Sequence, residues 1–257
     1  MIVVGIDCGA KNAKTVIMKD SQIIGKGIVL TGFDLKKAVE KSFKASLAAA
    51  GVSKADVYKI YGTGSGKNVI DIADERVNDI KAIARAANYF FPEARTVVDV
   101  GAEEGRAVRI SENGNVADFA INEKCAAGAG VFIEAMGKAL EVPPEEMGPL
   151  ALTSDKVISM NAQCAVFAES DVVGLIHAKT RAADISKAIH EAMASRIVAL
   201  VRRIGVNEKV VIVGGVGRNP GFLEAIKRKL KQDDILVPDE PEFGAAVGAA
   251  AVAYFTS

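Results

Sequence analysis

The chain has no tryptophan, and aromatic residues fill only 5% of its 257 positions. Surfaces that stack nucleic-acid bases, or that sit as aromatic belts at a membrane interface, need more than this. Net charge is lacking too: 32 lysines and arginines are offset by 32 aspartates and glutamates. Neutralising nucleic-acid phosphates takes a surplus of positive charge, so no nucleic-acid partner is expected, nor is an acidic disordered tail. The longest apolar stretch, Ala245 to Phe255, falls well short of the ~20 residues that span a bilayer, so no membrane association is expected. The opening run Ile2-Val3-Val4-Gly5-Ile6-Asp7 has no basic residues before it and no small-residue cleavage site, and reads as a buried strand rather than a signal peptide. Three cysteines do not make a disulfide framework. The expected compartment is cytoplasmic, where such cysteines are buried small side chains, redox thiols or metal ligands.

What is present is a core-forming composition, 50% hydrophobic, with a strand-rich pattern that runs twice. Ile2–Asp7, Thr15–Met18 and Gln22–Leu30 read as strands. Asp34 caps a helix to about Ala50, with Leu35, Ala38, Val39, Phe43 and Leu47 on one face. A short strand, Val57–Tyr61, ends in Gly62-Thr63-Gly64-Ser65-Gly66, and a helix is expected from there to about Phe90, stopping at Pro92. Then Thr96-Val97-Val98-Asp99-Val100-Gly101 repeats the form of Val3 to Gly9: an apolar run, an Asp, one residue, a Gly. Ala107–Ile110 and Val116–Ile121 flank a hairpin turn at Asn113-Gly114. Helices follow at about 130–140, 166–177 and 184–204, then a strand at Lys209–Val213 and helices at Pro220–Lys231 and Phe243–Tyr254. The pattern predicts a duplicated α/β architecture with a cleft between two lobes: residues 1–92, and residues 93–242 with the helix of 243–257 returning to the first lobe.

Three glycine turns each follow an apolar strand: Asp7-Cys8-Gly9-Ala10, Asp99-Val100-Gly101-Ala102 and Gly214-Gly215-Val216-Gly217-Arg218-Asn219. Glycine lets backbone N–H groups approach a phosphate, and an Asp at a strand end can hold Mg²⁺ through water. Lys14 lies close enough to reach a phosphate as a point charge. Neither GxxxxGK[ST] nor a spaced GxGxxG is present, so this is neither a P-loop nor a Rossmann unit. Any one turn is equally a tight strand exit; three together, on a repeated scaffold, point to a nucleotide cleft. These turns resemble the first phosphate, second phosphate and adenosine motifs of the actin/Hsp70/sugar-kinase superfamily, and the helix containing Gly244 to Ala250 fits as well. The resemblance implies a duplicated actin-like (ASKHA, ribonuclease H-like) ATPase fold. It also implies that ATP or ADP is held by Gly9, Ala10, Lys11, Lys14, Gly101 and Ala102 at the phosphates and by Gly214, Gly215, Val216 and Asn219 at the adenosine, with Asp7 and Asp99 organising Mg²⁺.

Cys125 and Cys164 each stand just ahead of an expected helix, among small neighbours (Ala126, Ala127, Gly128; Ala165). A helix N-terminus stabilises a thiolate and the sulfides of a cluster. Two cysteines cannot supply the four thiolates of a [4Fe–4S] cluster, but two chains can. The plainer alternative is two buried structural cysteines; Cys8, inside the first turn, reads as structural. Neither His177 nor His190 has ligand spacing with another His or a Cys, and both read as packed or surface residues.

Asn122-Glu123-Lys124-Cys125-Ala126-Ala127-Gly128 and Cys164-Ala165-Val166-Phe167-Ala168-Glu169-Ser170 resemble the cluster motifs of the 2-hydroxyacyl-CoA dehydratase activators. That family includes the ATPase subunits of benzoyl-CoA reductases and the reductases of double-cubane cluster proteins. The resemblance covers nearly the whole chain. It implies a homodimer, or a pair of paralogous subunits, with one [4Fe–4S] cluster between protomers held by Cys125 and Cys164 of each. ATP hydrolysis would drive electrons from a ferredoxin or flavodoxin to an iron–sulfur partner enzyme. The chain departs from the family where a Ser/Thr pair becomes Ala10-Lys11, where Gly-Gln-Asp becomes Ala102-Glu103-Glu104, and at Asp79 and Ile83, which replace Glu and His. Glu103 is then left to orient or deprotonate the attacking water, or hydrolysis is slow. Two other readings stay open: a small-molecule kinase on the same fold, which leaves the helix-start cysteines without a purpose, and a nucleotide-sensing scaffold that does not hydrolyse ATP.

Overall fold

The structure, a computed structural model, describes residues 1–122, 129–160, 165–206 and 209–256. The chain packs as two units. One comprises Met1–Val97, Ile110–Ala117 and Glu242–Ser257; the other comprises Val98–Arg109 and Asp118–Pro241.

The first unit is built on five strands: β1 (Ile2–Cys8), β2 (Asn12–Lys19), β3 (Gln22–Leu30), β4 (Lys59–Thr63) and the two-residue β5 (Glu75–Arg76), in the order β3-β2-β1-β4-β5. β1 and β2 form an antiparallel hairpin, and β4 runs parallel to β1. Side chains alternate across a strand, so β1 feeds two cores. Val3 packs with the C-terminal helix, and Val4, Ile6 and Cys8 pack with Ala38, Val39 and Phe43 of α1 (Leu35–Ala50). Burial on both faces is why β1 reads as an unbroken apolar run rather than an alternating one. Asp34 caps α1 by accepting the Lys37 N–H at 3.0 Å, and Gly51 ends it in the left-handed conformation. The second layer pairs α2 (Asp79–Phe90) with the C-terminal helix, whose Ala246 to Ala253 are all buried.

The expected helix directly after Gly66 is not formed there. Lys67–Val69 makes one 3₁₀ turn, the chain then buries Ile70, and the helix starts only at Asp79, after its Asn78 cap accepts the Ile80 N–H at 2.8 Å. The intervening segment is occupied differently: Asp74 accepts the Ile60 N–H at 2.7 Å, and β5 extends the sheet beside β4.

The second unit repeats the plan. Its strands are β6 (Thr96–Val100), β7 (Gly105–Ile110), β8 (Val116–Asn122), β9 (Val210–Val213) and β10 (Ile235–Leu236), in the order β8-β7-β6-β9-β10. Counted from the first strand of each sheet, this is the order of the first unit, so the sequence repeat is a structural duplication. Its helices are α3 (Gly130–Ala139), α4 (Pro144–Leu152), α5 (Ala165–His177), α6 (Ala182–Ile204) and α7 (Pro220–Leu230); the C-terminal helix (Gly244–Phe255) is α8. Phe132, Met136, Met147, Ile189, Met193 and Phe222 anchor one core of this unit. The sequence reading did not foresee α4, although Pro144 at its first turn followed by Glu145 and Glu146 is a helix-start signature. Among the described residues no helix is long and apolar enough to cross a membrane.

Candidate functional site

In the first unit the end of β1 carries Asp7, only 6% exposed. Its register partner on β2 is Lys14, whose Nζ lies 2.5 Å from Asp7 Oδ2. A buried carboxylate needs such a partner, because desolvation penalises a lone charge. Beyond Asp7 the turn closes with the Gly9 N–H on Asn12 O at 3.1 Å. Thr31 ties it from outside: its Oγ1 donates to Gly9 O at 2.8 Å and its N–H to Lys11 O at 2.9 Å. Ala10 and Lys11 are exposed at the tip.

The exit of β4 passes directly against this turn. Gly64 has φ +93°, and a Cβ there would overlap Asp7 Oδ1 and fall 2.6 Å from Cys8 O. Only glycine permits both the backbone angle and the approach. Asp79, the first residue of α2, accepts from the Gly64 N–H and from Thr63 Oγ1, each at 2.9 Å, and lies 3.7 Å from Lys67 Nζ. The shorter Asp at this position therefore fixes the turn after β4.

The second unit builds the same exit from different residues. Asp99 ends β6, 6% exposed, with Arg106 Nη1 at 2.7 Å from Oδ2. Arg106 stands seven residues after its Asp, as Lys14 does. Gly214, after β9, has φ +87°, and a Cβ there would overlap Val100 O and sit 2.6 Å from Asp99 Oδ1. The Gly101 N–H closes its turn on Glu104 O at 2.9 Å, and the carbonyls of Gly101 and Ala102 accept the first N–H groups of α3, from Gly130 and Val131, at 2.9 Å each. Gly215 is exposed with open space around it, Val216 is buried, and Asn219 caps α7 by accepting the Phe222 N–H at 3.0 Å.

Arg106 was not among the residues singled out in the sequence. The signal was there: with β1 and β2 in register, Lys14 falls opposite Asp7, and the repeat carries a cation to the equivalent place. Arg106 also engages the Glu104 carboxylate through Nη2. Glu104 is therefore anchored beside Asp99, while Glu103 is exposed.

Cys125 and Cys164 lie outside the described residues. The helices downstream of them are described. α5 begins at Ala165 and exposes Val166, Phe167, Val173 and Ile176. Cys8 is fully buried, and burial, with Asp7 beside it, pushes its thiol up to about 11, as suits a structural cysteine. His177 is exposed, while His190 is buried.

Comparison with known proteins gives one family model, the BadF/BadG/BcrA/BcrD ATPase family, matching residues 4–253. The chain is similar to the 2-hydroxyisocaproyl-CoA dehydratase activator of Clostridioides difficile, with 35% identity over 99% of this chain and 95% of that protein. The solved structure of that dehydratase's activator, with bound ADPNP, superposes with a TM-score of 0.93. The (R)-2-hydroxyglutaryl-CoA dehydratase component A of Acidaminococcus fermentans superposes with a TM-score of 0.96 at 32% identity, covering 100% of this chain and 98% of that one. A ROK family glucokinase from Streptomyces griseus shares the fold alone, at TM-score 0.62 and 14% identity.

Proposed function

This chain belongs to the BadF/BadG/BcrA/BcrD ATPase family, and from that premise we propose that it is an ATP-driven activator that passes electrons at low potential to a partner iron–sulfur enzyme. The observation that carries the ATP half of this reading is the doubled strand exit: a buried Asp, a cation across the hairpin and a positive-φ glycine, present once in each unit. In this reading Asp7 and Asp99 hold Mg²⁺ through water, and the Gly9–Ala10 and Gly101–Ala102 turns receive the phosphates: the glycine N–H groups close the turns on Asn12 O and Glu104 O, and the N–H groups of Ala10 and Ala102, with Lys11 and Lys14, face the phosphates. Arg106 joins them as the counterpart of Lys14. Each Asp–cation pair keeps a buried carboxylate neutralised until nucleotide and metal arrive. Gly214, Gly215, Val216 and Asn219 take the adenosine. Because Glu104 is held by Arg106, Glu103 is the carboxylate assigned to the attacking water.

The electron-transfer half rests on the cysteines. Each chain brings Cys125 and Cys164, and a [4Fe–4S] cluster takes four thiolates. The donor set therefore fits a cluster shared by two chains and does not fit one held by a single chain. Supporting the dimer, α5 turns Val166, Phe167, Val173 and Ile176 to solvent directly after Cys164, a stripe that a second protomer would cover. When bound, the cluster supplies one-electron transfer. The two chains' own contribution would be the four thiolates, with Cys164 directly preceding α5 in sequence, where the helix dipole favours anionic sulfur. The α3 start, on the Cys125 side, is hydrogen-bonded to the Gly101–Ala102 turn, so a change at the phosphates reaches this element through two bonds. ATP can shift the dimer only by the difference in its affinity for the two arrangements. Similarity to the dehydratase activators supports an acceptor of that kind, a 2-hydroxyacyl-CoA dehydratase, a benzoyl-CoA reductase or a double-cubane cluster protein, with a ferredoxin or flavodoxin as donor.

The test is MgATP binding and turnover on anaerobically purified protein, with sedimentation of the same sample. A dimer that hydrolyses MgATP, and whose Asp7→Asn and Asp99→Asn variants lose most turnover, is expected. A monomer, or a protein with no affinity for MgATP, contradicts the proposal.

A further inference from the structure

Three strand exits serve the proposed nucleotide site: those after β1, β6 and β9. The fourth, after β4, contributes no ligand contact to it, yet it is the counterpart of the β9 exit. The two sheets run β3-β2-β1-β4-β5 and β8-β7-β6-β9-β10, so β4 and β9 each flank the strand that carries a buried Asp. Gly64, at φ +93°, lies against Asp7 Oδ1 as Gly214, at φ +87°, lies against Asp99 Oδ1. Ser65 therefore stands where Gly215 stands, and both are exposed. The two loops differ in chemistry. Gly214 is followed by Gly215 and the buried Val216, which bring no polar side chain. Gly64 is followed by the Ser65 hydroxyl and, after Gly66, by the Lys67 ammonium.

The β4 loop is fixed on either side of Ser65. Before it, Asp79 Oδ1 accepts from the Gly64 N–H and from Thr63 Oγ1 at 2.9 Å each. After it, the Gly66 N–H donates to Cys8 O, in the first glycine turn, at 2.9 Å, and the Lys67 N–H donates to Gly64 O at 3.1 Å. A Cβ on Gly66 would sit 2.5 Å from Cys8 Sγ, so the loop is pressed onto the turn that Asp7 begins. Among the described residues, neither the N–H nor the hydroxyl of Ser65 meets a hydrogen-bond partner. Lys67 Nζ has only long contacts, 3.5 Å to Gly64 O and 3.7 Å to Asp79 Oδ1. Because Asp79 Oδ1 keeps its two other donors, Lys67 can turn away without stranding it.

We propose that Ser65 and Lys67 bind the terminal phosphate of ATP. The Ser65 hydroxyl and N–H donate to its oxygens, and Lys67 Nζ exchanges its long contacts for the phosphate charge. Two equivalent loops then serve the two ends of one ligand. The loop after β9 takes the nucleoside; the loop after β4, pressed onto the Asp7 turn and carrying a hydroxyl and an ammonium, takes the phosphate end. Ser65 also supplies the hydroxyl that Ala10 and Lys11 lack. This rests on the proposed placement of phosphate at the Asp7 turn and adds to it a determinant that tells ATP from ADP.

The experiment titrates MgADP and MgADPNP, a β,γ-imido analogue of ATP, into the anaerobically purified full chain and its variants. Ser65→Ala alters an exposed side chain without a partner, so it is expected to fold as wild type does. It should weaken MgADPNP about tenfold, as loss of one hydrogen bond to a charged group does, and leave MgADP within about twofold. Lys67→Met should do the same, whereas Ser65→Thr, which keeps the hydroxyl, should stay near wild type. Asp7→Asn should weaken both nucleotides. Equal loss of MgADP and MgADPNP in Ser65→Ala overturns the inference, because the loop then does not distinguish the terminal phosphate. Wild-type affinities in Ser65→Ala and Lys67→Met, beside weakened binding of both nucleotides in Asp7→Asn, also overturn it and leave the phosphate placement intact. Wild-type affinity in Asp7→Asn removes that placement and the inference together.

Discussion

Two adjacent glycines give opposite expectations. Gly214 has φ +87°, and a Cβ there would sit 2.6 Å from Asp99 Oδ1 and overlap Val100 O; Gly215 has nothing within 4 Å of the same construction. Gly214→Ala must therefore hold a backbone conformation, φ +87° and ψ 160°, that is essentially confined to glycine, at about 1–3 kcal/mol. It must also push Asp99 off Arg106 Nη1, disturbing an ion pair whose side chains are only 9% and 14% exposed. Together these cost about 3 kcal/mol, which is roughly 6–12 °C in Tm for a chain of this size. Gly215→Ala meets no atom and is expected within about 0.5 kcal/mol of wild type. If Gly215 borders the adenosine, as proposed, the added methyl still weakens MgATP binding. The assay is thermal unfolding and MgATP titration of both variants side by side. Gly214→Ala should lose stability and binding together, Gly215→Ala binding alone. A Gly214→Ala protein melting within about 2 °C of wild type would refute the reasoning about the strand exit.

Arg106→Met removes the guanidinium that bridges Asp99 and Glu104; urea unfolding should show a loss of about 3 kcal/mol, with Arg106→Lys losing less, and an unchanged midpoint would contradict the bridging role. Because His190 has its pKa lowered by burial, the unfolded chain takes up a proton near pH 6.5 that the folded chain refuses. Its contribution to stability is therefore present above that pH and is lost as the pH falls below it, at up to about 1.4 kcal/mol per pH unit. His190→Phe should flatten the stability profile between about pH 7 and 5, and a profile as steep as wild type would contradict this. Cys8, buried with its thiol pushed up to about 11, should resist iodoacetamide at neutral pH until the chain is unfolded; peptide mass analysis of native protein would contradict this if it found Cys8 carboxamidomethylated.

Much of the fold was legible because its signals are local. The apolar runs ending in Asp-x-Gly mark β1 and β6, Asp34 and Gly51 bracket α1, and the second run repeats the first. What the sequence hid depends on contacts between distant segments. α2 starts late because residues 67 to 78 are claimed by β4, through Asp74 on the Ile60 N–H and β5 alongside, and no local pattern shows that claim. Arg106 becomes visible only when the fold brings its guanidinium onto the Asp99 carboxylate. Asp79 looks like a shortened family residue until its carboxylate is seen holding the Gly64 N–H. His190 reads as a core histidine, which it is.

The most direct test of the account is iron and sulfide analysis with an EPR spectrum of dithionite-reduced, anaerobically purified protein, wild type beside Cys125→Ser. The account predicts about four irons and four sulfides per pair of chains, a reduced-cluster signal that changes on adding MgATP, and loss of iron and signal in the variant. A colourless, iron-free dimer from strictly anaerobic cells, or iron retained undiminished in Cys125→Ser, would contradict it.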